Sequence, residues 1–178
     1  QKLAERHIEQ AERILTATYK VRRALDYVRS PMMWSHELQA AEEKLKASGE
    51  WEKTLDEAHR TRLTTAQAYY DRLNHFKNER SLLEECQPMA RAFFGEALEK
   101  SIEELNHQFH MVRVYVDAKL NDGNGRDREF SQKIDRIVWA GYPSAEENEV
   151  DRVIAEKVKF IEDSCVPVLR TEDGATGI

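Results

Sequence analysis

Leu98, Ile102, Leu105, Phe109, Val112 and Val116 are spaced four, three, four, three and four residues apart. A run of that period has one economical solution. It places six large apolar side chains on a single seam of a helix, which must then be covered by other helices. Read from Met89 to Leu120, the segment predicts one helix about 48 Å long at roughly 1.5 Å per residue. Helical spacing recurs along the chain: Ile8, Ala11, Leu15, Thr18, Leu25 and Val28; Trp34, Leu38, Ala41 and Leu45; Leu55, Ala66, Tyr69, Leu73, Phe76 and Leu83; and Val150, Ile154, Val158, Ile161 and Cys165. Seven Gly and four Pro among 178 residues leave long stretches that only helices use.

The chain is therefore expected to be all-α: an antiparallel helical bundle of long helices with a shorter C-terminal helical pair. A single domain over residues 1–170 is followed by an unstructured tail, 171–178. Ser30-Pro31 reads as a restart after a first helix ending near Arg29, with Ser as N-cap and Pro at the first helical position. A long helix is expected from Glu50 to Cys86. Phe130, Ile134, Ile137 and Val138 mark a short helix, Ser144 and Glu147 form a capping box before the last helix, and Pro167 ends that helix.

Composition narrows the function classes. The formal net charge of -6 argues against a binder of DNA that works by phosphate neutralisation. Charge is uneven, because residues 1–29 hold seven Lys/Arg against four Asp/Glu. The sequence opens directly into this basic helix. That leads to the expectation that a membrane anchor or another domain precedes Gln1, with the chain cytoplasmic and tethered through that segment. Cys86 and Cys165 stand in no metal-binding or redox spacing, so buried or surface thiols in a reducing compartment are expected.

Several fragments resemble functional motifs until face and spacing are tested. In Lys119-Leu-Asn-Asp-Gly-Asn-Gly-Arg-Asp-Arg-Glu129, setting either Gly125 or Gly123 at position 6 of a calcium loop puts Leu120 or Ala118 at position 1. The stretch reads instead as a helix C-cap and turn. Glu104-Leu-Asn-His107 has the spacing of a di-metal ligand pair, but with Ile102 and Leu105 in the seam, Glu104, His107 and His110 face away from the core. Asp56-Glu-Ala-His59 matches a helicase motif without the strands or phosphate loop that motif needs. No metal or cofactor is expected.

Arg29-Ser-Pro-Met-Met-Trp-Ser-His36 is an arginine followed by six residues and a histidine. In that respect it resembles the signature of HEPN ribonucleases, small helical bundles that usually act as dimers. The resemblance covers two positions. It implies a metal-independent ribonuclease with His36 as general acid or base on the ribose 2′-hydroxyl and Arg29 stabilising phosphate charge. Without it, Arg29 reads as a charge complementing the helix dipole and His36 as an exposed side chain.

Large side chains also gather at two corners, Met32, Met33 and Trp34, and Trp139 and Tyr142. The leading expectation is a non-enzymatic interaction or structural module that binds a protein partner or self-associates through the heptad-bearing helix. Met33, Trp34, Trp139 and Tyr142 are its candidate contacts.

Overall fold

The computed structural model describes the backbone of residues 2–123 and 125–176 and the side chains of 2–123 and 125–171. Nine helices follow one another among them: α1 (Lys2–Val28), α2 (Ser35–Ala47), α3 (Glu50–Lys53), α4 (Glu57–His75), α5 (Lys77–Glu85), α6 (Gln87–Phe94), α7 (Glu96–Asn121), α8 (Arg128–Val138) and α9 (Glu149–Thr176). The described residues contain no strand, and the fold is all-α.

The heptad seam is the centre of the core. All six of its side chains are buried, facing Ala11, Ile14, Val21 and Leu25 of α1 and Ile154, Val158 and Ile161 of α9 within one continuous cluster. At about 1.5–3 kcal/mol for each large apolar side chain removed from water, this seam outweighs any single surface interaction. All six side chains lie inside the chain's own core. Helix directions follow from paired residues. Tyr19 meets Glu162 while Arg29 meets Asp151, making α1 and α9 antiparallel. Asp117 accepts from Tyr70 while Asn106 donates to the Arg80 carbonyl, so α4 and α5 run antiparallel to α7.

Several expected boundaries shift, each for a local reason. The helix expected from Glu50 to Cys86 is three. Asp56 accepts the His59 amide and starts α4, and Phe76 at φ -100°, ψ 20° separates α4 from α5. Leu55, assigned to the inward stripe, lies in the gap between α3 and α4 and is 88% exposed. The helix expected over 89–120 breaks at Gly95, whose φ of 98° and ψ of 170° suit glycine alone. The restart at Ser30-Pro31 is delayed to Ser35, where the Glu37 carboxylate accepts the Trp34 amide at 2.9 Å. Phe130, placed in the stripe of α8, is 39% exposed.

Pro167 sits within α9 and removes one N–H from its ladder without ending it. The α9 backbone continues through Thr176, and the rest of the tail expected over 171–178 lies outside the described residues. No helix among the described residues is long and apolar enough to cross a membrane.

Candidate functional site

Arg29 follows the last residue of α1, a position where an arginine ordinarily reaches into solvent. Here it is fully buried. An isolated buried cation is costly, so each of its nitrogens has found an acceptor. Nε donates to the Ile137 carbonyl at 2.9 Å, and Nη1 to Asp151 at 2.5 Å. Nη2 is shared among Asn148 Oδ1 at 3.0 Å and the carbonyls of Arg136 and Trp139, both at 3.2 Å. Burial pushes the guanidinium pKa down, and the Asp151 carboxylate opposes that shift.

Asn148 completes the junction. Its Nδ2 donates to the carbonyls of Arg136, Trp139 and Tyr142, while its Oδ1 caps α9 through the Asp151 amide. The Arg29 carbonyl accepts the Ala140 amide at 2.7 Å, and Asp151 accepts the Gly141 amide at 2.7 Å. The turn between α8 and α9 is thereby fastened to the end of α1.

A second buried arginine fixes the other side. Arg72 of α4 donates to the carbonyls of Ser30 at 2.8 Å, Val28 at 3.3 Å and Met32 at 2.5 Å. Its remaining donors form a two-pronged pair with Glu37 at 2.7 and 3.0 Å, the arrangement in which guanidinium and carboxylate interact best. That pairing holds the Glu37 carboxyl below its ordinary range. The guanidinium also lies over the rings of Tyr27 and Tyr69, at 5.3 and 5.4 Å from their centres.

The link between α1 and α2 is thus a corner whose carbonyls are held in place. Met33 turns inward against the core, whereas Met32 and Trp34 are 59% and 55% exposed. Tyr27 beside them is 42% exposed.

The two aromatic corners, more than a hundred residues apart in sequence, are linked through Arg72, which holds the Met32 carbonyl and lies over Tyr69, and through Tyr69, which accepts from Trp139. Trp139 donates from Nε1 to the Tyr69 hydroxyl at 3.0 Å and stacks edge-on with Tyr142. Lys119 lies 4.2 Å from the centre of its indole. Trp139 is largely sequestered, and Tyr142 is 36% exposed. His36 is exposed and shares no hydrogen bond with Arg29, which follows the end of α1 but is buried among side-chain and carbonyl acceptors.

The remaining fragments have structural roles. Glu104 pairs with Lys157 at 2.6 Å, and His107 and His110 are exposed. Asp56 is an N-cap, Asp127 caps α8 through the Phe130 amide, and Asp122 accepts the Ser131 hydroxyl. Among the described residues no three His, Cys, Asp or Glu side chains gather to hold a metal ion. Sequence reasoning missed Arg72, Glu37, Tyr69, Asn148 and Asp151. For Arg72 a signal existed, since it falls beside Leu73 on the stripe shared by Tyr69 and Phe76, where a solvated arginine would be out of place.

Compared with known proteins, the chain matches no family model, no curated protein and no solved structure.

Proposed function

We propose that the chain is a non-enzymatic helical interaction module that presents Tyr27, Met32, Trp34 and Tyr142 to a protein partner. One observation carries the reading: Met32 and Trp34 stand more than half exposed on a segment whose carbonyls are held by a buried arginine. Single exposed apolar residues are common and need no explanation. A thioether and an indole held on a pinned corner are different, because little order remains to be imposed when a partner closes over them. Trp139 supports Tyr142 from behind.

The ribonuclease reading loses its electrostatic partner, since every nitrogen of Arg29 is engaged inside the protein. The idea that a further segment holds the chain at a membrane rests on the basic first helix alone.

The test is to replace Trp34 and Tyr142 by alanine and compare the variants with Leu55→Ala, a change at a still more exposed apolar side chain away from the corner. All three keep the parent melting temperature. In cell extract the parent and Leu55→Ala run as the same complex on size-exclusion chromatography, whereas Trp34→Ala and Tyr142→Ala shift to the size of the free chain. Identical profiles for all four proteins contradict the proposal.

A further inference from the structure

The groove between α4, α7 and α8 closes over a cavity of about 360 Å³. Its floor is apolar, formed by Ala66, Val116, Leu120 and Ile134, with Tyr69 at one side. The volume lies at the small end of the range of about 300–1,000 Å³ that ligand pockets occupy. One ring with a short chain fits within it.

The polar groups around this floor divide by whether they already have partners. Lys119 and Asp135 neutralise each other at 2.7 Å. Asp122 accepts the hydroxyl of Ser131 at 2.7 Å. Arg62 is the exception. Among the described residues its Nε is buried without an acceptor and no carboxylate pairs with it, while its Nη2 lies 3.5 Å from a His59 ring nitrogen. A guanidinium that lines an apolar floor and has no carboxylate beside it favours an acceptor on its accessible nitrogens, best an anionic one.

We infer that this cavity is a binding site for a small amphipathic carboxylate, whose acid group pairs with Arg62 while its hydrocarbon part covers Ala66, Val116 and Leu120. The site is distinct from the aromatic corner but touches it. Tyr69 lines the cavity and receives the Trp139 N–H, and Lys119 lines it while lying over the same indole. Occupancy is therefore reported by Trp139 fluorescence.

Hydrocinnamate, hydrocinnamyl alcohol and phenylpropylamine share one ring and chain and differ only in the polar end, so calorimetric titration with the three separates charge from apolar burial. The acid binds at least about tenfold more tightly than either analogue, equivalent to roughly 1.4 kcal/mol. Binding of the acid changes tryptophan emission in the parent but not in Trp139→Phe. Arg62→Gln lowers acid affinity to that of the alcohol, and Ala66→Leu, which fills the floor, weakens both. Equal affinity for acid and alcohol, tighter binding of the amine, parent-like binding by Arg62→Gln, or no binding of any probe up to about 10 mM each overturns the assignment. Were Arg62→Gln not to fold, the comparison of the three probes on the parent would still decide the charge requirement.

Discussion

Replacing Arg29 by methionine keeps most of the side-chain volume and removes the guanidinium donors from the junction of α1, α8 and α9. The losses are unequal. Asn148 Nδ2 continues to serve the Arg136 and Trp139 carbonyls, and Asp151 keeps the Gly141 amide and is 20% exposed, so water reaches it. The Ile137 carbonyl loses its side-chain donor, and Asp151 loses its cation. Breaking a buried ion pair from one side costs about 3–5 kcal/mol. At about 2–4 °C per kcal/mol for a domain of this size, the melting temperature falls by roughly 6–20 °C.

Asp151→Asn retains an acceptor for Arg29 and costs about 1–2 kcal/mol. The double variant is less destabilised than the sum of the two, because both act on one network. Circular dichroism melts of the three variants are the assay. A fall below about 2 °C for Arg29→Met, or strict additivity in the double variant, refutes the reasoning that makes Arg29 a structural junction.

The Glu37–Arg72 pair has a pH signature. Arg72 holds the Glu37 carboxyl below its ordinary value of 4.5, so the pair's stabilisation is complete above that value and is lost as pH falls through the lower folded value. Denaturant midpoints from neutral pH into acid fall more steeply below 4.5 for the parent than for Glu37→Gln; parallel curves contradict this. Gly95→Ala meets no atom within 4 Å but adopts a φ of 98°, so strain alone lowers stability by about 1–3 kcal/mol, measured by urea unfolding. Burial pushes the Cys165 thiol up to about 12 and raises that of Cys86, so neither reacts with Ellman's reagent until the protein unfolds. A mixed RNA pool remains intact with the parent and with His36→Ala alike; cleavage that depends on His36 restores the ribonuclease reading.

The heptad seam, the stripes of α1 and α9 and the all-α class were legible because burying one face of a helix leaves a period that residues display locally. Breaks were less so. Gly95 carried its signal in identity alone, and nothing in the residues around Phe76 marks the end of α4. The junction was hidden for another reason. Arg29 finds Asn148 and Asp151 about 120 residues away. Taken alone, an arginine at a helix end looks like an ordinary dipole partner. The two aromatic corners could each be noticed in sequence, but their convergence depends on Tyr69 touching both Arg72 and Trp139, a relation only the packing supplies.

The central claim is that the α1–α2 corner meets another protein. Its most direct test places the photo-crosslinking residue benzoylphenylalanine at position 34 in living cells, with the same residue at position 55 as control. The account predicts one discrete adduct from position 34 and none from position 55, its mass distinguishing a second copy of this chain from a different protein. No adduct from position 34, or the same adducts from both positions, would contradict it.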